Sequence, residues 1–146
     1  MNAKNAKLKT LKKQKLVKNL LYKNLVYKIQ GIIFEIYKTL GSGFKELIYQ
    51  NAIEEELKQQ KLLFEREKSL TIRYKNKSVG FYKPDFIIDN KVILEIKAVP
   101  EMPKYFEVQL FNYLKATNYK LGLLVNFGSD GGVDIRRRIY DKVRRR

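Results

Sequence analysis

"PDFIIDNKVILEIKAV", residues 84–99, reads as two short apolar strands, yet it carries Asp85, Glu95 and Lys97. Side chains alternate along a strand, so Glu95 and Lys97 share one face while Leu94 and Ile96 share the other. The side taken by Asp85 depends on the turn between the strands. A two-residue turn at Asp89–Asn90 pairs Asp85 with Leu94 and puts its carboxylate on the wrong face. A three-residue loop, Asp89 to Lys91, pairs Phe86 with Leu94 and sets Asp85 opposite Glu95. The second register is favoured, with Asn90 or Lys91 in the left-handed conformation, which asparagine tolerates well.

In that register two carboxylates lie about 5 Å apart across the strands. Their repulsion is roughly 3 kcal/mol at an effective dielectric near 20, a large share of the stability of an ordinary domain. A divalent cation bound through oxygen would turn this cost into a binding site. Lys97, one pleat further on the same face, could then orient an attacking water and help neutralise a phosphate. The plainer reading is a hairpin with one solvated face, on which Glu95 and Lys97 merely pair.

Composition narrows the chemistry. The 146 residues, 45% hydrophobic, suit one domain with a core of ordinary size. There is no cysteine and no histidine, which excludes disulfides, thiolate metal sites, a cysteine nucleophile and the commonest general base. Catalysis would have to run on carboxylates, lysines, tyrosines and an oxygen-bound metal such as Mg²⁺. No apolar run approaches the roughly 20 residues of a membrane span, and no secretory signal is visible. The protein is therefore expected to be intracellular and cytoplasmic.

The net charge of +16 is concentrated at the ends. Nine lysines (Lys4, Lys7, Lys9, Lys12, Lys13, Lys15, Lys18, Lys23 and Lys28) precede the first acid, Glu35. Six arginines and Lys142 lie between Arg136 and Arg146, against Asp141 alone. A nearly neutral centre with basic ends suits polyanion binding; solubility or compositional bias is the bland alternative, and an acidic membrane surface is a further one.

Along the chain, residues 1–16 read as a flexible basic arm, 17–140 as a single domain and 141–146 as a basic tail. Leu21, Leu25, Ile29, Ile32, Ile36 and Leu40 trace one helical stripe that "GSG" at 41–43 ends. A second helix is predicted from about Lys45 to Gln60, with Leu47, Ile48, Ala52, Ile53 and Leu57 inward. Residues 62–99 then suggest three or four antiparallel strands, broken at Lys75–Ser78 and Asp89–Lys91. Pro103 fits the first turn of a third helix running to about Thr117. "KLGLLVNF", 120–127, fits a strand buried on both faces, and a last strand or short helix follows "GSDGG". The order, roughly ααβββαβ, is that of an α/β (α+β) domain with a central mixed sheet flanked by helices.

Pro84–Asp85 followed by Glu95–Ile96–Lys97 resembles the PD-(D/E)XK nuclease superfamily. In "QLFNY", Gln109 and Tyr113 resemble the QxxxY motif of its RecB-like and lambda-exonuclease-like branch. "GFKELIY" supplies Gly43, Glu46 and Tyr49, similar to the small prokaryotic family named for its GxxExxY motif. The resemblance spans about Leu25 to Tyr140 and implies a restriction-endonuclease-like three-layer core with Mg²⁺-dependent phosphodiester hydrolysis, Mn²⁺ being a substitute. It implies that Asp85 and Glu95 bind the metal, with the Ile96 carbonyl as an extra ligand, and that Lys97 positions or activates the water. Glu46 would reach the site from the second helix, directly or through water. Gln109 and Tyr113 would contact substrate phosphates or steady the site. Nucleic acid, DNA above RNA, is the implied partner.

Each of these residues has a structural alternative. Glu46 could be a first-turn carboxylate favoured by the helix dipole, and Tyr113 could be core packing. Tyr49 reads as structural and Gly43 as serving the turn. Two other functions remain open: a nucleic-acid-binding protein with a vestigial site, and a protein-interaction subunit docking through its basic ends.

Overall fold

The computed structural model describes residues 2–141, the side chains of 16–20 excepted. Most of the basic tail, 142–146, therefore lies outside the described residues. The lysine-rich arm, expected to be frayed, instead forms helix α1 (Ala3–Leu20). Its described side chains, those of residues 3–15, are exposed. Lysine, leucine and alanine are among the best helix formers, which accounts for a helix there.

The apolar stripe that follows folds as α2 (Lys23–Leu40) and buries Val26, Ile29, Ile32, Ile33 and Ile36. It stops where Gly41, at φ 67°, donates its N–H to the Tyr37 carbonyl. Helix α3 (Glu46–Gln59) buries Tyr49, Gln50, Ile53 and Leu57. Leu47 and Ile48, expected to face inward, are exposed. The helix is rotated because Tyr49 takes the inner position. Its ring stacks on Phe127 with centroids 4.3 Å apart, and its hydroxyl donates to the Gly41 carbonyl at 2.6 Å. Tyr49 thus ties the helix to the glycine turn, and Gly43 there holds φ 105°.

Strands β1 (Phe64–Arg66), β2 (Leu70–Tyr74), β3 (Lys77–Tyr82), β4 (Phe86–Ile88) and β5 (Val92–Lys97) come next. Helix α4 (Tyr105–Thr117), β6 (Leu121–Asn126) and β7 (Asp134–Ile139) complete the order. The central sheet runs β1-β4-β5-β6-β7. Only the β5–β6 pair is parallel, as the α4 crossover between them requires. The expected run of antiparallel strands divides: β2 and β3 form a separate hairpin. Arg73, Lys77, Ser78 and Phe81 on these strands are exposed, a pattern that would not survive between buried neighbours.

The sheet is covered on both faces. On one, α2 and α3 pack on Phe86, Ile88, Val92, Leu94 and Ile96. On the other, α4 and the hairpin meet Ile87, Ile93 and Leu124. Helix α4 begins just after Pro103, whose carbonyl accepts from Phe106 N–H at 3.2 Å and closes the entering turn. Strand β6 is buried along its whole length. Part of the basic C-terminal run belongs to the fold rather than to an extension. Arg136 and Arg138 alternate on β7, and both pair with the buried carboxylate of Glu107 on α4.

The end of β6 is fastened to the chain leaving β5. Asn126 is fully buried. It accepts from Val99 N–H and Gly128 N–H, both at 3.0 Å, and donates to the Val99 carbonyl at 2.9 Å. Gly128 has no room for a side chain, since a Cβ would lie 2.5 Å from Val99 backbone atoms. Asn126→Ala would leave main-chain groups unpaired in the interior and is expected to cost about 3 kcal/mol, read as a lower midpoint in urea unfolding.

Candidate active site

Strands β4 and β5 pair Phe86 with Leu94 and Ile88 with Val92, the register of the three-residue loop. Lys91 N–H donates to the Ile88 carbonyl at 3.0 Å to close that loop. Asp89 and Asn90 hold its left-handed positions, both at φ 52°, whereas Lys91 does not.

Asp85 and Glu95 therefore face one another, and each is held by the other's strand. Ile96 N–H donates to Asp85 Oδ2 at 2.6 Å, and Asp85 N–H donates to Glu95 Oε1 at 3.1 Å. A third donor comes from the hairpin: the Tyr82 hydroxyl reaches Glu95 Oε1 at 2.8 Å. The Tyr82 ring in turn stacks on Tyr113 of α4, centroids 3.8 Å apart and planes 3° from parallel.

Burial raises the pKa of Asp85 above the usual carboxylate range; the Ile96 N–H, Lys97 and a hydrogen bond from Gln50 work against it. Burial, then the charge of Asp85, raises Glu95 to about 7, against the pull of Tyr82, the Asp85 N–H and Lys97. Tyr82 is raised in turn, by burial first and then by the Glu95 charge it faces. The pair thus sits where one of its two charges is poorly tolerated, a condition typical of functional carboxylates.

The other expected residues approach from three directions. Lys97 stands one pleat beyond Glu95, its Nζ 4.6 Å from the centroid of the Phe106 ring, a contact that steadies an ammonium without neutralising it. Glu46 opens α3, and Gln50 one turn on donates to its Oε1 at 3.2 Å. Glu46 is raised by burial and by the charge of Asp85 and lowered by Lys97, so it belongs to the same electrostatic neighbourhood. Gln50 bridges the two acids, and Arg66 Nη2 holds its Oε1 at 3.4 Å. Gln109 and Tyr113 line a cleft of about 20 Å³ with Tyr82, Glu95, Lys97 and Phe106, room for about one water molecule.

All six side chains singled out in the sequence thus meet around one end of the β4–β5 pair. Among the described residues, however, no three acidic side chains close into a ready-made metal cage. The donors that stand together are the opposed Asp85 and Glu95, with Glu46 linked through Gln50. An all-oxygen pair of this kind fits Mg²⁺, which usually takes one or two carboxylates and completes its shell with water and substrate phosphate.

Sequence reasoning missed Tyr82, Gln50 and Phe106. Gln50 lies four residues after Glu46, a spacing that could have marked it. Tyr82 and Phe106 carry no local signal, since their roles depend on where the hairpin and α4 dock.

A five-stranded mixed sheet between helices, with an Asp and a Glu facing across a hairpin and a lysine one pleat on, defines the restriction-endonuclease-like class of fold. A sequence model described as the PD-(D/E)XK nuclease superfamily matches residues 23–138, and the chain belongs to that superfamily. Its members are generally nucleases. No curated protein matches the chain. A solved structure described as "Crystal structure of SSO0001" is similar, with a TM-score of 0.48 and 23% identity over 66% of this chain. This chain spans about half of that one, 51%.

The raised pKa of Glu95 makes stability depend on pH. Between its ordinary value of 4.5 and about 7 the folded protein holds a proton that the unfolded chain has lost. This group's contribution is therefore complete below the lower value and is lost as pH rises through the upper one. Urea midpoints of the metal-free protein, compared with Glu95→Gln from pH 5 to 8, are expected to diverge in favour of the variant as pH rises. Tyr82→Phe removes a donor to the charged form and is expected to raise the Glu95 pKa further, read as a carboxyl titration by NMR.

Proposed function

We propose that the protein is a metal-dependent nuclease that hydrolyses phosphodiester bonds of DNA, with RNA as the other candidate, using Mg²⁺ or Mn²⁺. The observation that carries this reading is the opposed Asp85–Glu95 pair with Lys97 on the same face, tied by reciprocal main-chain hydrogen bonds. Membership of a superfamily that consists mainly of nucleases supports it. Gly43, Glu46 and Tyr49 favour the GxxExxY family within it, and Gln109 with Tyr113 favours the RecB-like branch.

When bound, a divalent cation would lower the pKa of water and offset negative charge on the phosphate. Asp85 and Glu95 would hold it, with the Ile96 carbonyl and Glu46, directly or through water, as further ligands. Lys97, steadied by Phe106, aligns the attacking water and adds positive charge beside the phosphate. The water oxygen bonds to phosphorus, the ester P–O bond breaks, and the departing oxygen takes up a proton. Gln109 and Tyr113 touch the neighbouring phosphates. The basic ends, with the lysines of α1 foremost, supply non-specific affinity that falls steeply with salt.

The test is incubation with labelled single- and double-stranded DNA and with RNA, in Mg²⁺, Mn²⁺ or EDTA. Cleavage is expected with metal and absent in EDTA. Lys97→Ala is expected to lower the rate by about 10³-fold while retention on nucleic acid stays within twofold. Salt-sensitive binding without cleavage in any metal would instead favour a binding protein with a vestigial site.

A further inference from the structure

Beside the cleft lies a larger open groove of about 440 Å³, lined by Ile72 of the hairpin and by Tyr105, Val108, Gln109, Asn112 and Tyr113 of α4. Gln109 and Tyr113 line both cavities, so the groove adjoins the cleft that Glu95 and Lys97 line. Its volume falls in the range of roughly 300–1,000 Å³ usual for sites that take small organic groups. Tyr105 is 63% exposed and Val108 52%. Tyr105 packs edge-on against Phe106, centroids 4.6 Å apart, so its ring is steadied at one edge and open elsewhere.

The electrostatic setting narrows the occupant. Glu107, the only carboxylate on α4, is buried and held by Arg136 and Arg138 of β7, away from the groove. Residues 69–84 carry Arg73, Lys75, Lys77 and Lys83 and no acid, and α4 has Lys104 at its N-cap and Lys115 in its last turn. An aromatic and apolar floor, two side-chain amides and a cationic frame complement a flat, hydrogen-bonding group on a negatively charged backbone. Stacking accepts any base, and the Asn112 amide offers both a donor and an acceptor to its edge.

We infer that this groove takes a nucleobase of the strand whose phosphate enters the cleft, so that the substrate arrives as a single strand or an unpaired end. The placement beside the scissile phosphate rests on the nuclease reading. A base within a duplex would first have to leave its stack and its partner, which disfavours intact double strands.

The experiment is fluorescence anisotropy in EDTA with three probes: a short single strand, an abasic strand of equal length and charge, and the corresponding duplex. The base-bearing single strand is expected to bind about tenfold more tightly than either of the others. Tyr105→Ala should lose most of that preference and Tyr105→Phe should keep it, with both variants unfolding at the wild-type temperature. Equal affinity for base-bearing and abasic strands, a duplex bound as tightly as the single strand, or an indifferent Tyr105→Ala would overturn the inference. The same strands incubated in Mg²⁺ separate the two readings. Base-dependent binding without cleavage in any metal leaves the groove standing and removes the nuclease. Cleavage without base dependence does the reverse.

Discussion

Two carboxylates are pressed together across β4 and β5, and the rest of the site is arranged around that pressure. What holds them there is the hydrophobic burden on the opposite face of the same two strands. Phe86, Ile88, Val92, Leu94 and Ile96 are all fully buried against α2 and α3, each worth about 1.5–3 kcal/mol. Together they outweigh a repulsion of roughly 3 kcal/mol between Asp85 and Glu95. A slip of one residue would relieve the carboxylates but turn the slipped strand's side chains onto the opposite face and break their packing against α2 and α3. The register that makes the core therefore makes the site, and the charged pair cannot relax by moving apart along the strand.

Each layer then contributes a group that makes the pair tolerable. The strands lend their own N–H groups, and the hairpin, although outside the central sheet, lends the Tyr82 hydroxyl. From α3, Gln50 bonds to both Glu46 and Asp85. From α4, Phe106 steadies the ammonium of Lys97 and Tyr113 braces Tyr82. These supports lower the electrostatic cost without removing it, as the raised pKa of Glu95 records. A site left in that state has capacity for positive charge.

Much of this was legible in the sequence wherever the signal is local. The alternation from Pro84 to Val99 left two registers, and the favoured one, with a three-residue loop at Asp89–Lys91, is the one the strands adopt. The glycines after Leu40 marked the end of α2, and the continuous apolar run at 120–127 marked a strand buried on both faces. What could not be read depends on docking. The rotation of α3 follows from Tyr49 finding Phe127, far away in the chain, and it exposes Leu47 and Ile48 against expectation. The departure of β2–β3 from the main sheet hid Tyr82, which reaches Glu95 only because the hairpin folds back over α4. The helix of the N-terminal arm escaped notice because propensity without an apolar face leaves no periodicity to see. Similarly, Arg136 and Arg138 counted only as part of a basic end until Glu107 supplied a buried partner.

The margins of the central sheet bear on how copies of the protein meet. One is β1, a strand of three residues, and the other is β7, which carries Arg136, Arg137 and Arg138. A sheet edge is a template on which another chain can pair, and short or charged edges discourage it. Joining two copies through β7 would bring the arginines of both strands side by side, while β1 offers too few main-chain groups for a lasting ladder. A chain with a strongly apolar sheet at its centre is thus guarded against end-to-end growth into fibrous aggregates, and the guard at one margin is built from arginines that also help anchor α4.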